Sequence, residues 1–522
     1  MPVSCKYFCM NQPNLLPAGC LFLLVLAGCS APNSGNPNII IIYADDLGPG
    51  DLGCYGATAV KTPNADRLAR EGIQFSNAYA CSATCTPSRY GLLTGEYPWR
   101  QKNTGIARGD APMIIKKDQF NVARMLTNAG YSTAAVGKWH LGLGEGDFNC
   151  QNWNGEITPG PRELGFGYSF LIPATGDRVP CVYIENQRIV NLDPGDPISI
   201  SYTTPFEGVP LGRDQLKELK LQPSVGHDLA IVNSISRMGY MKGGKSALWN
   251  DETMADTITL KAIQFIERNR NNPFFLYFAT HDIHAPRVPH PRFVGETTMG
   301  ARGDAIVQFD WSVGQILATL DRLNLSDNTL VILSSDNGPV VEEGYRDRGH
   351  ELVGNHKPAG ALRGGKYSAL EGGTRIPFIV RWPAGVNHGK SKALISQVDL
   401  IGSLAELCGQ KLPENVAMDT QNSLDTWLGK SAADRQFIVE QSIGTLSLIR
   451  GGWKYITPSK SSGYYEEGKI DLGHDTIPQL YNLLEDQEER KNVAGVNPDM
   501  VIALKTFLEV LNSTTNRNAG SK

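Results

Sequence analysis

Outside its first thirty positions the 522-residue chain has little cysteine. Of ten cysteines, Cys5, Cys9, Cys20 and Cys29 lie near the N-terminus, while Cys54, Cys81, Cys85, Cys150, Cys181 and Cys408 are scattered over the rest. That spacing excludes a fold stapled by disulfides. A single bridge remains open, with Cys150–Cys181 as one pairing. Charge of one sign is also lacking: the net charge is -4 at pH 7, so no global positive field recruits nucleic acid or a membrane surface. No apolar run is long enough to span a bilayer, and no internal repeat is present. The remaining composition, 41% hydrophobic and 20% charged, is that of a globular chain of roughly two or three domains.

The N-terminus is set apart from the fold. Lys6 precedes the short apolar core "LFLLVLAGC", which ends in Leu26-Ala27-Gly28-Cys29 and runs into the polar "SAPNSGNPN". Leu-Ala-Gly-Cys resembles a bacterial lipobox. It implies a signal peptide over 1–28, lipidation of Cys29, a tether over 29–37, and a protein held in the periplasm or at the outer membrane by its lipid anchor alone. An ordinary secretory signal with a chance cysteine is the alternative, and it too implies export.

The body of the chain repeats one design. "NIIIIYADDLG", "YSTAAVGKWHLG", "PFFLYFATHDIHAP" and "NTLVILSSDNGP" are apolar runs that end in polar groups, as buried parallel strands with chemistry at their C-terminal ends do. Amphipathic stretches such as "DETMADTITLKAIQFIERN" lie between them. The expectation is an α/β fold with a large, mostly parallel sheet sandwiched by helices and ligands beyond the strand ends. Residues 159–250 read as long loops over that rim. "FIVEQSIGTLSLIRGGWKYITP" and a final helix read as a small C-terminal α+β domain with a short antiparallel sheet. The boundaries are 38–432 and 433–522.

Asp45 and Asp46 end one run; Asp336 and Asn337 end another. Together they form a hard, all-oxygen set suited to Ca²⁺ or Mg²⁺, although each pair alone also reads as turn chemistry. Lys138 and His140, two apart, are expected on one strand face as an anion clamp and an acid/base. His284 and His281 suit acid/base or substrate contacts better than zinc, because no helical His–Glu–His spacing accompanies them. Lys366 sits in a Gly-rich loop that lets an ammonium approach an anion, or else is a solvated loop lysine. Cys81 and Cys85, four apart in "ACSATCTPSRYGLLTG", are ambiguous alone.

Cys85-Thr86-Pro87-Ser88-Arg89 with the downstream Leu-Thr-Gly resembles the signature of the type I sulfatases, of the alkaline-phosphatase-like superfamily. "YADDLG", "GKWHLG", "THDIHAP", "SSDNGP" and "GGKYSALEGG" resemble that family's other motifs in its order, from about Asn38 to Pro383. The resemblance implies that a maturation enzyme oxidises Cys85 to Cα-formylglycine, whose hydrate is the nucleophile. It further implies that Arg89 helps hold the site and that Ca²⁺ is bound by Asp45, Asp46, Asp336, Asn337 and the modified Cys85. Lys138 and Lys366 would neutralise the sulfate, His140 would contact the hydrate, and His284 would protonate the leaving alcohol. Cys81 falls outside the pattern.

For the substrate, Thr175 occupies the place of a sulfate-contacting hydroxyl, and Asp177, Arg178, His281 and Arg287 are rim candidates, with His227 and Arg108 beside them. The resemblance is nearest to N-acetylgalactosamine-6-sulfatases and implies a sulfated carbohydrate, with 6-sulfated galactose or N-acetylgalactosamine leading. Two rivals stand: a phosphodiesterase or phosphonate monoester hydrolase of the same superfamily, and a catalytically silent glycan-binding lipoprotein. Lys138, His140 and Lys366 favour sulfate over the first. The intact set of acids, bases and cations opposes the second.

Overall fold

The structure is a computed structural model and describes residues 36–519. The expected signal peptide, Cys29 and most of the tether lie outside the described residues. At the centre Asn38–Ala44, buried along its whole length, pairs in parallel with Phe274–Ala279 on one side and Thr329–Ser335 on the other. Ser132–Lys138 and then Tyr168–Ile172 extend the parallel set. Continuous Ile, Leu, Val and Phe runs suit strands covered on both faces. The register puts Tyr43 opposite Ala279 and Ala44 opposite Ser335, so the strands end together.

The complete sheet has ten strands and is mixed at its margins. Phe378–Arg381 runs antiparallel to Thr329–Ser335, and Ile73–Phe75 antiparallel to it in turn. On the other side the hairpin Ile184–Glu185 and Arg188–Ile189 closes the edge. The span 159–250 is therefore not only loops, since it supplies three strands of the sheet. Helices flank the sheet. In Met254–Asn269, Ile258, Ala262, Phe265 and Ile266 are buried at helical spacing, and the helix packs on Gly300–Arg322.

Toward the C-terminus Phe437–Ser442, Thr445–Arg450, Trp453–Ile456 and Gln479–Asn482 form a four-stranded antiparallel sheet. It braces the segment before Cys85: the Ala83 N–H and the Ser82 hydroxyl both donate to the Gln441 carbonyl at 2.8 Å. The Lys454 ammonium, fully buried, ties this sheet to the loop after Lys366 by reaching Glu371 at 2.9 Å and Glu440 at 3.1 Å.

Candidate active site

Cys85 is the first residue of a helix, Cys85–Thr94, in which every residue is buried. Pro87 falls in the first turn, where its missing N–H costs nothing. Cys81 packs on the far side of this helix, and a Cβ on Gly91 would lie 2.6 Å from its sulfur. Burial raises the Cys85 thiol pKa despite the pull of Lys138 and Lys366, so an unmodified thiolate is disfavoured. Cys150 and Cys181 are both free thiols.

The four strand ends converge beside Cys85. The Asp46 N–H donates to Asp336 Oδ1 at 3.2 Å, and Asn337 Nδ2 donates to Asp46 Oδ1 at 2.7 Å. Arg89, fully buried, places Nε and Nη2 on Asp336 Oδ2 at 3.0 and 2.7 Å and Nη1 on the Lys138 carbonyl at 3.2 Å. The Lys138 ammonium binds Asp45 Oδ2. The Lys366 ammonium lies 2.9 Å from Asp46 Oδ2 and 2.6 Å from Glu343 Oε2. The Lys366 loop reaches this place because glycines let backbones meet: a Cβ on Gly338 would lie 1.8 Å from the Gly372 oxygen.

The donor set fits a hard cation. Asp45 Oδ1 and Asn337 Oδ1 are buried oxygens with no hydrogen-bond partner among the described residues. Burial, and then the Asp336 charge, push the Asp45 carboxyl well above its ordinary range against Lys138. Lys366 and Lys138 overcome the burial of Asp46 and hold it low. Atoms of Asp45, Asp46 and His284 lie within 4.8 Å of one another. The adjacent carboxylates and the two unsatisfied oxygens of Asp45 and Asn337 suit Ca²⁺ or Mg²⁺.

Lys138 and His140 are not related by strand alternation. The strand stops at Lys138, and His140 takes a left-handed backbone with φ 54°, as Asp46 does at φ 59°. Both are strained for non-glycine residues, at roughly 1–3 kcal/mol each. Thr86 places His140 near Cys85, its hydroxyl donating to the His140 carbonyl at 3.0 Å. His140 Nε2 donates to the Ala107 carbonyl at 2.9 Å, which leaves Nδ1 as the basic nitrogen, buried and without a partner among the described residues. Burial, then Lys138 and Arg178, hold this imidazole well below its ordinary pKa. His284 is the reverse tautomer: Nδ1 donates to the Ala285 carbonyl at 2.5 Å, and Nε2 lies 3.9 Å from both Asp46 Oδ2 and Glu343 Oε2.

A cavity of about 440 Å³ opens over these groups and is lined by Cys85, Asp177, Arg178, His227, His284 and Lys366. The Asp177 carboxylate joins Arg178 Nη1 at 2.8 Å and His227 Nε2 at 3.2 Å. Burial would raise Asp177, but Arg178 and His227 hold it well below the usual range. Thr175, fully buried, bonds Asp177 and Arg178 from behind. His281 and Arg287 are off the cavity. His281 Nε2 accepts from the Gly176 N–H at 3.1 Å, while Arg287 donates to the Ile283, Val340 and Val341 carbonyls and to Asp347. Arg108 pairs with Asp110 and stacks on Phe148 outside the cavity. Sequence reasoning missed Glu343, Tyr367, Tyr464, Tyr465 and Leu472, which line the cavity. Each comes from a loop with no periodic signal.

The description "Sulfatase" belongs to the family model that matches residues 37–410. The chain is 53% identical over 495 residues to N-acetylgalactosamine-6-O-sulfatase of Bacteroides thetaiotaomicron, covering 93% of this chain and 96% of that protein. It is 32% identical to human steryl-sulfatase, over 94% of this chain and 89% of that one. A solved structure from a study of the metabolism of multiple glycosaminoglycans by Bacteroides thetaiotaomicron superimposes with a TM-score of 0.90 at 54% identity. It spans 92% of this chain and all of that one (100%).

Proposed function

We propose, for a chain that belongs to the sulfatase family and is a sulfuric ester hydrolase, that the ester it cleaves is the 6-sulfate of N-acetylgalactosamine in a sulfated glycan. The observation that carries this reading is the 53% identity, across nearly the whole of both chains, to a protein named for that substrate. Asp177, Arg178 and His227, joined on the cavity wall, supply acceptors and donors for sugar hydroxyls.

Asp45, Asp46, Asp336 and Asn337 would hold Ca²⁺, with Mg²⁺ the alternative, and the ion supplies fixed divalent charge for the sulfate oxygens. Cys85, oxidised to Cα-formylglycine by a maturation enzyme, supplies an oxygen nucleophile in its hydrate that a thiol lacks. The ammoniums of Lys138 and Lys366 flank the acids and meet the negative charge of the sulfate as it moves onto the leaving oxygen. His140 takes a proton at Nδ1, because Nε2 is committed to the Ala107 carbonyl. His284 takes up a proton from solvent at Nε2 once the sulfate ester is bound and delivers it to the leaving oxygen, which departs as the alcohol. Burial, Lys366 and Lys138 keep His284 neutral in the free enzyme, and a bound sulfate anion offsets those two cations.

Export with lipidation at Cys29 is part of the same proposal, since an outer-surface or periplasmic enzyme meets glycans before uptake. No helix of the described residues is long and apolar enough to cross a membrane. The test is sulfate release by enzyme co-produced with a formylglycine-generating partner. The reading requires 6-sulfated N-acetylgalactosamine to be preferred over its 4-sulfated isomer and over a phosphate diester. Preference for either of the others overturns it.

A further inference from the structure

A second cavity of about 760 Å³ adjoins the sulfate pocket, and none of the groups described above accounts for it. The two cavities share Tyr464, and the same two chain segments wall both. In the Gly-rich loop, Arg363 and Gly364 line the second cavity while Lys366 and Tyr367 line the first. In the 464–472 hairpin, Ile470 and Asp471 face the second and Leu472 the first. Tyr464 is 44% exposed, an aromatic face available to a sugar ring, and its neighbour Tyr465 is set edge-on to Tyr367 at 5.6 Å.

The second cavity is cationic in a particular way. Its acids are already paired within the wall: Asp471 accepts from Arg363 Nη2 at 2.6 Å, and Glu488 from Arg490 Nε at 2.5 Å. Lys357 and Lys469 line the same space, and their ammoniums have no ion pair or hydrogen bond among the described residues. The sulfate pocket, by contrast, closes both of its lysines onto carboxylates. Two uncompensated ammoniums in a concave wall attract an anion, with a strength that falls as salt rises.

We propose that this cavity is a subsite for a neighbouring anionic sugar, one carrying a carboxylate or a sulfate, glycosidically linked to the sugar whose ester is cleaved. The subsite rests on the carbohydrate-sulfatase reading above and extends it from a single sugar to an acidic chain. Lys357 and Lys469 hold the anion, and Tyr464 supports the sugars between the two cavities.

The test compares initial rates on 6-sulfated N-acetylgalactosamine alone with rates on disaccharides in which it is linked to a uronic acid, a sulfated hexose or a neutral hexose. The uronate or the sulfated partner is expected to raise kcat/KM about fivefold or more over the monosaccharide, through KM, as two partly exposed ion pairs allow. The neutral partner is not. Lys357→Ala with Lys469→Ala should abolish that gain while leaving monosaccharide turnover unchanged, and which arm responds identifies carboxylate or sulfate. An equal loss on monosaccharide and disaccharide, or no gain from an anionic partner in the unsubstituted enzyme, overturns the subsite. Failure to release sulfate from any of the four substrates overturns the carbohydrate reading itself, and the subsite with it.

Discussion

The Lys366 ammonium sits 2.9 Å from Asp46 across 320 residues of chain, and 2.6 Å from Glu343 on its other side. A buried cation between two carboxylates both shapes an anion site and holds two strand ends together. Lys366→Ala should therefore lower sulfate release by about 10²–10³-fold, as loss of a preorganised electrostatic group does. It should also lose roughly 3–5 kcal/mol of stability, because it leaves buried carboxylates uncompensated. Denaturant unfolding beside steady-state rates separates the two effects.

Asn337 contributes twice to the acid cluster, clamping Asp46 through Nδ2 and presenting an unpartnered Oδ1. Ca²⁺ should raise the thermal midpoint of chelator-treated protein. Asn337→Ala should weaken Ca²⁺ binding by about 10–100-fold, by titration calorimetry, without any assay of turnover.

Asp282 stands behind the site, its two oxygens receiving, among the described residues, only Gln308 Nε2 at 3.1 and 3.2 Å. Burial pushes its pKa up to about 7. The folded protein therefore keeps a proton that the unfolded chain releases at about 3.9. The contribution of Asp282 to stability is complete below that lower value and is lost as pH rises to about 7, at up to about 1.4 kcal/mol per pH unit. Asp282→Asn should remove this slope, so its midpoint should gain on the parent protein between pH 4 and 7. A constant difference across that range would refute the assignment.

Arg287 separates a structural from a substrate role. Each of its three guanidinium nitrogens donates to a backbone carbonyl or to Asp347. Arg287→Met should therefore lower the unfolding midpoint and leave KM within about twofold, whereas a substrate-binding arginine would raise KM by tenfold or more.

The parallel core and the floor of the site are readable from the sequence for one physical reason. An apolar run such as "NIIIIYA" can only be a strand covered on both faces, so the acids that follow it must stand at a sheet edge. Four such runs, by their pattern alone, place Asp45, Asp336, Lys138 and His284 at one rim. The roof is not readable in this way. Glu343 lies in "GPVVEEGYRDR" and Tyr464 in "SSGYYEEG", where no period distinguishes a lining residue from a solvated one. The strand Tyr168–Ile172 is masked by the Pro- and Gly-rich sequence around it. The geometry of His140 escapes the pattern because alternation holds only while a strand lasts, and this one ends two residues earlier.

The chemical state of residue 85 decides whether the nucleophile is an aldehyde hydrate, and mass spectrometry reads it directly. Trypsin cleaves after Arg70 and Arg89, releasing a peptide that carries both Cys81 and Cys85. From protein matured in its own host, that peptide should be lighter by about 18 Da, the difference between thiol and aldehyde, with the loss at residue 85 and an intact thiol at 81. An unshifted mass in enzyme that still releases sulfate would contradict the formylglycine mechanism.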